Sequence, residues 1–369
     1  MLTIVFLLVW VCILGHIARP RRELPDSSYN LNNVLLMLPL ILLLGLRTGY
    51  NDTHAYVSGF QDALPLSELL HQPEDLELLG NPLFYLYTSA MRTLTDNVHI
   101  YFMVSSVFVV ALMISFFCRI ADNDTYALTM YAYLAMGTYF FALAAMKQTI
   151  AMAILCHSVL ALRDKKRIRF WVLVFIAGLF HTYAWSFAIL PLLTGRPWKI
   201  QTYAVVAATV FVMATFEETI SAFLEYADAL GKGASEEMVF SGEGMNMFRV
   251  VVYGIVPACS LIFRHILEPK MERKHHIMMH MSIVSFMFML LASIDGANMF
   301  GRMARYFEVG TVYMFPWTIR NLFNRRSQII AVGLFLAAFF VFAMYQYQSF
   351  DDAYRGITIL EFLQSLLTE

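Results

Sequence analysis

The chain has 369 residues, 59% of them hydrophobic and 14% charged, with a mean hydropathy of +0.61. A soluble domain carries about 25% charged residues, and the deficit here runs along the whole chain, so the composition excludes an ordinary soluble domain. It points to an all-α polytopic integral membrane protein. Long apolar blocks in place of short alternating strands exclude a closed β-barrel.

The formal net charge of −1 hides an asymmetry. Fifteen of the 26 Lys and Arg residues fall in four short connections: Arg19, Arg21 and Arg22; Arg163 to Arg169; Arg264 to Lys274; and Arg320 to Arg326. Such loops stay cytoplasmic. The stretch from Glu217 to Gly244 carries seven acids against Lys232 alone and belongs outside. No nucleic acid is expected as a partner.

In chain order, the opening MLTIVFLLVWVCILGHIARPRRE reads as a first membrane helix with its N-terminus outside. Its bases follow the apolar run and no basic region precedes it, which does not fit a signal peptide. A span needs about 20 apolar residues. The spans expected are about 2–18, 33–48, 98–118, 126–144, 146–162, 169–190, 201–216, 248–264, 277–294, 303–319 and 328–346. This makes a bundle of about 10–12 transmembrane helices in one domain over 1–369, with outer inserts at about 49–97 and 217–247.

The basic loops conflict with the acidic stretch unless residues 170–194 enter and return on one side. Twenty-five residues are too few for two spans. A re-entrant hairpin turning near His181, or a broken helix, resolves the conflict; the alternative is one ordinary span and a crossing elsewhere. Irregular backbone at that depth is tolerated only against protein or a water-filled cavity. The tail DDAYRGITILEFLQSLLTE is placed outside, as an interfacial helix.

Cys12, Cys118, Cys156 and Cys259 all lie in apolar runs without metal-ligand or disulfide spacing, and read as small buried hydrophobes. No P-loop, GxSxG, HExxH or nucleotide fingerprint occurs, so neither a metal nor a cofactor is expected.

Polar residues in or near the membrane collect on the outer half: Arg47, Asp52, Arg92, Lys147, Asp295, Arg302 and Arg305. Such residues are costly there unless they bind or react with something. Lys147 is either a snorkelling lysine or a ligand cation facing a cavity, with Gln148 beside it favouring the second. Arg302 and Arg305, three apart, fall on one helical face and would welcome an anion between them. Glu308 could instead neutralise Arg305. Asp52 is either a solvated acid or a base toward a sugar hydroxyl. His181, about 16 Å deep at 1.5 Å per residue, is either a satisfied core histidine or a second candidate base. Tyr50, Tyr56 and Tyr306 are candidates for stacking on sugar rings, although interfacial aromatic belts are the commoner use of tyrosine.

Four stretches in order resemble the EpsG-type, Wzy-like polysaccharide polymerases of bacterial envelopes. They are RTGYNDTHAYVSGF, MKQTIAMAILCHSVLALRDKK, AGLFHTYAWSFAILPL and GRMARYFEVGTVYMFP. Lys147 stands where the family usually has arginine. Phe180, His181 and Thr182 stand at its Phe-His-x-Ser/Thr element, here with Thr182 directly after the histidine, and Arg302, Arg305 and Tyr306 at its Arg-x-x-Arg-Tyr pattern. In LGNPLFYLYTSAMR the chain has Asn81-Pro82 where the family usually has Glu followed by Gly and an aromatic residue.

The resemblance implies a GT-C-class membrane glycosyltransferase of the bacterial inner membrane. It would polymerise undecaprenyl-pyrophosphate-linked oligosaccharide repeat units at the outer leaflet, for O-antigen, capsule or exopolysaccharide. It would be inverting and metal-independent. Asp52, or His181 as second choice, would take the proton, and Arg47, Lys147, Arg302 and Arg305 would hold the pyrophosphate. Partners would be this lipid-linked substrate and membrane lipid, with a chain-length regulator and a flippase as further candidates. The rivals are a flippase or exporter of lipid-linked sugars, an O-antigen ligase, and a prenyl-phosphate mannosyltransferase, whose acid also lies in the first outer loop.

Overall fold

With no water to satisfy the backbone, apolar blocks must bond internally, and in the computed structural model they do so as helices. The structure describes residues 1–18, 31–69, 71, 80–216, 245–294 and 298–367. Arg19, Arg21 and Arg22, the acidic stretch 217–244 and Asp295 lie outside the described residues.

Among the described residues, two helical stretches, Val98–Ile120 and Arg325–Ala353, are long and apolar enough to cross a membrane. Met247–Ile262 and Arg264–Lys270, bent by 75°, make a third if they form one span. Leu2–Ile17, Leu31–Gly45, Thr182–Leu193 and Ile200–Ala214 are shorter apolar helices. Local features cut other expected spans short. The 126–144 block breaks after Ala135, where Gly137 takes a φ of 86°. The 169–190 block breaks at His181, whose backbone is extended between the helix Arg167–Phe180 and a 3-10 helix from Thr182. Among the described residues one small antiparallel ribbon, Arg47–Gly49 with Arg355–Gly356, interrupts the helices.

The chain forms two compact units. The first comprises Met1–Trp185 with Ile330–Glu369. Here Val98–Ile120 packs on Leu31–Gly45 and on Met146–Arg163, and Met146–Arg163 packs on Arg167–Phe180. Three of its helices are also joined by polar side chains: Tyr126 Oη donates to Asn33 Oδ1 at 2.9 Å, and Asn33 Nδ2 donates to Cys118 Sγ at 3.4 Å. Buried hydroxyls such as Ser105 and Ser106 bond the carbonyl four residues back, which satisfies them inside a single helix.

The second unit is Ser186–Ile329. The boundary falls inside one apolar run, so no change of composition marks it. Its centre is the pair Arg273–Leu291 and Asn298–Leu322. These helices meet backbone to backbone at Gly310, where a Cβ would lie 2.5 Å from the Met278 carbonyl oxygen. Small residues allow such close approach in apolar surroundings. Ser282 Oγ and Thr311 Oγ1, 2.9 Å apart, close the same contact.

Candidate functional site

Arg47 leaves the end of Leu31–Gly45 in an extended conformation. A helix end in an apolar setting has orphan carbonyls to satisfy, and a return of the chain satisfies them here. Ile357 N donates to Leu46 O at 2.9 Å, and Tyr354 Oη donates to Leu43 O at 2.8 Å. Opposite Arg47 stands Gly356, where a Cβ would come 2.9 Å from Leu46 O. Only glycine fits that approach. The chain then turns through Asn51, at φ 42°, a conformation asparagine tolerates. Thr53 Oγ1 closes the turn on Tyr50 O at 2.6 Å, and the helix Thr53–Gln61 begins.

The Arg47 side chain is 1% exposed. Its Nη1 donates to Leu44 O at 3.3 Å and Ala142 O at 3.4 Å, and Nη2 lies 3.5 Å from Met146 Sδ. The guanidinium carbon sits 4.3 Å from the centre of the Phe102 ring, a favourable cation–π placement. Nε has no hydrogen-bond partner. Among the described residues no carboxylate pairs with it. A small cavity of about 10 Å³, with room for about one water, adjoins it, lined among others by Ser105, Ser106, Met146 and Thr149.

The helix Met146–Arg163 starts at the same place. Its N-cap is Ala145, which has no side chain to offer, so the first N–H groups need another acceptor. The Tyr56 hydroxyl lies near the backbone N–H groups of Met146 and Lys147. The structure thus brings together Arg47, Tyr56 and the first turn of the helix that carries Lys147. The positive end of a helix dipole adds to the Arg47 guanidinium, a setting suited to an anion.

Asp52 is exposed and heads Thr53–Gln61 without capping it through its side chain; its charge acts on Tyr56. The Tyr50 ring lies 5.2 Å from that of Phe350, and the Tyr56 ring 6.1 Å from that of Phe84; both tyrosines are partly exposed. Arg92 pairs with Asp96.

His181 is buried beside Tyr183 at the helix break. Asn81 Oδ1 accepts from Thr182 N at 3.2 Å, and Thr182 Oγ1 donates to Gly80 O at 3.2 Å. The Asn-Pro pair therefore braces the break, with Pro82 opening Pro82–Leu94, where its missing N–H costs nothing.

In the second unit Arg305 is buried and already paired. Its Nη1 donates to both Glu308 oxygens, at 3.0 and 2.8 Å, and to Tyr253 Oη at 3.3 Å. Arg302, one turn earlier, is exposed. Tyr306 is 1% exposed, so neither face of its ring is open to a sugar in this structure.

A model of the EpsG family matches residues 32–361. The chain belongs to the EpsG family. The match takes in every residue named above from Asn33 to Ile357, including the returning strand. No curated protein and no solved structure matches the chain. This EpsG-family chain is a multi-pass membrane protein of the polysaccharide-polymerase type. Among the described residues no group of His, Cys, Asp and Glu could hold a metal ion, and all four cysteines are free thiols.

Sequence reading missed three features of these sites. The Gly80–Asn81 brace has a signal, since Thr182 falls in a resembling stretch and Asn81 stands where the chain departs from the family pattern. Tyr253 has none, being one tyrosine among 19. The ribbon partner Arg355–Gly356 is too short for any period to mark it.

Proposed function

We propose that this EpsG-family protein transfers a growing glycan from a prenyl pyrophosphate, undecaprenyl in bacteria, to a sugar hydroxyl of a new lipid-linked repeat unit. In this reading the acceptor oxygen gives its proton to Asp52 and attacks the anomeric carbon. The carbon–oxygen bond to pyrophosphate breaks, the pyrophosphate leaves with the electron pair, and the anomeric centre inverts. Arg47, Lys147 and the first N–H groups of Met146–Arg163 hold the leaving group. Fixed donors in a partly dry site stabilise charge as it develops. Tyr50 and Tyr56 offer partly exposed ring faces to sugars. His181, buried at a braced break, is the second choice of base. For Arg302, Arg305 and Tyr306 the substrate role rests on the sequence pattern and the resemblance. The positive-inside rule puts the Arg47 loop opposite the basic connections, so in this reading the reaction belongs to the outer leaflet of the inner membrane.

The observation that carries the reading is Arg47, a buried cation with no carboxylate partner among the described residues, beside a helix N-terminus whose N-cap residue Ala145 makes no side-chain bond. Keeping such a charge in an apolar bundle is expensive, and an anionic ligand explains the expense.

Purified protein with a synthetic undecaprenyl-pyrophosphate oligosaccharide and a chelator should give a ladder of products on a gel, and Arg47→Ala should not. A ladder from Arg47→Ala as strong as the parent's would sink the assignment. Intact repeat units moved across a vesicle bilayer, with no ladder, would favour a flippase.

A further inference from the structure

The helix Ile359–Leu367 has nine residues, none buried. Ile359, Leu360, Phe362, Leu363, Leu366 and Leu367 fall within an arc of about 160° at 3.6 residues per turn. Glu361, Gln364 and Ser365 occupy the other side. Leu360, Leu363 and Leu367 are exposed in full view of the solvent-facing surface. At about 14 Å the helix cannot cross a core of ~30 Å. Its apolar arc nevertheless needs an apolar neighbour.

Two attachments fix where it lies. Asn97 Nδ2 donates to Ser365 Oγ at 2.9 Å, on the polar arc. The same Asn97 caps Val98–Ile120, accepting from His99 N at 2.9 Å. Val98–Ile120 is long and apolar enough to cross a membrane, and exposes Val104, Val107 and Phe108. The polar side of the short helix is therefore tied to the end of a span whose own outer surface is apolar. At its other end, Thr358 and Glu361 form a reciprocal cap: Glu361 N donates to Thr358 Oγ1 at 3.2 Å and Thr358 N to Glu361 Oε2 at 2.7 Å. This occupies the helix's single charged residue. Just before the cap, Ile357 is bonded to Leu46, next to Arg47.

We propose that Ile359–Leu367 lies in the headgroup–acyl boundary of the membrane, its apolar arc in lipid, and from there holds Arg355–Gly356 against the Arg47 strand. The occupant of the apolar face is bilayer lipid, because the helix is pinned at a span end and is too short to insert. It has no Lys or Arg, so burial of its apolar side chains holds it, not attraction to anionic headgroups. Docking stands independently of the function proposed above; its consequence for catalysis rests on Arg47 being a pyrophosphate ligand.

The test uses the full chain in phosphatidylcholine vesicles, with Cys12 and Cys259 replaced by alanine and an environment-sensitive fluorophore on Leu363→Cys or Gln364→Cys. Lipids brominated near the headgroup should quench the label at 363 several-fold more than the one at 364. Equal quenching of both by aqueous iodide, and none by the lipid, overturns the proposal. Protection of 363 from both quenchers, growing with the protein-to-lipid ratio, overturns it in favour of contact with a second copy. The companion variant Leu363→Glu with Leu367→Glu should lower the lipid quenching of a label on Leu366→Cys, which lies on the apolar arc, and weaken the product ladder. A full ladder from a lifted helix would refute its hold on the Arg47 strand while leaving the depth result to judge the docking.

Discussion

Arg47 and Arg305 are both buried arginines on helix-rich scaffolds, and in the sequence both look like phosphate ligands. Their surroundings differ in one respect that decides their chemistry. Arg305 has Glu308 one turn away and spends its Nη1 on both carboxylate oxygens. Arg47 has carbonyls, a thioether and an aromatic face, but no carboxylate among the described residues. A buried pair is costly to break and gives little net stability. A buried cation held only by dipoles keeps its full charge for a ligand. The comparison separates an arginine whose first task is structural from one left available for an anion.

The largest effect should come from breaking the pair. Glu308→Ala leaves the Arg305 guanidinium buried without its counter-charge, and should lower stability by ~3–5 kcal/mol, read as a fall in unfolding temperature in micelles. Replacing both partners, Arg305→Met with Glu308→Leu, should recover most of that loss. If the double variant is stable but makes no polymer, Arg305 binds an anion as well, and the contrast with Arg47 collapses.

Arg47→Met should do the opposite. It removes an uncompensated buried charge, so the unfolding temperature should hold or rise. Removing an oxyanion-type donor typically costs ~2.7–4 kcal/mol of barrier, so the rate of ladder formation should drop about 10²–10³-fold. A variant that unfolds early and retains the rate per folded molecule would make Arg47 the structural arginine of the two.

How far the sequence carries this contrast depends on distance along the chain. Glu308 is three residues from Arg305, and helical spacing alone names it as a partner. The apolar blocks likewise announce a helical membrane protein, and the conflict between basic and acidic loops locates a break near His181. What surrounds Arg47 comes from Leu44, Phe102, Ala142 and Met146, up to 99 residues away, with apolar or backbone contacts that leave no mark in a pattern. The two-residue strand at Arg355 is invisible for the same reason, since two residues have no periodicity. The end of one expected span at Ala135 depends on Gly137 taking a positive φ beside Tyr347, a tertiary contact.

Lys147 tests whether the site wants charge or the fork of arginine. It occupies the first turn of Met146–Arg163 and is half-buried, so solvent weakens its charge relative to Arg47. Lys147→Gln should slow the ladder about tenfold, a loss worth ~1.4 kcal/mol. Lys147→Arg should retain the parent rate, because the charge is kept and the guanidinium adds donors. A rate gain from Lys147→Arg would mean that the substrate accepts a paired contact; a collapse would mean that the lysine fits a space too tight for the larger head group.

The smallest effect should be that of Tyr56→Phe. The ring and its packing on Phe84 stay, and only the hydroxyl near the Met146 and Lys147 N–H groups goes. Losing a neutral hydrogen bond costs about 0.5–1.5 kcal/mol, so a modest fall in unfolding temperature follows. The donors set free are the ones that the pyrophosphate reading assigns to the leaving group. If Tyr56 competes with the ligand for them, the phenylalanine variant binds inorganic pyrophosphate more tightly while losing stability. If Tyr56 only holds a sugar, affinity for pyrophosphate does not move and only the oligosaccharide KM rises. The direction of that one binding constant decides whether the first turn of Met146–Arg163 belongs with Arg47 in the anion site or with Arg305 among groups already satisfied.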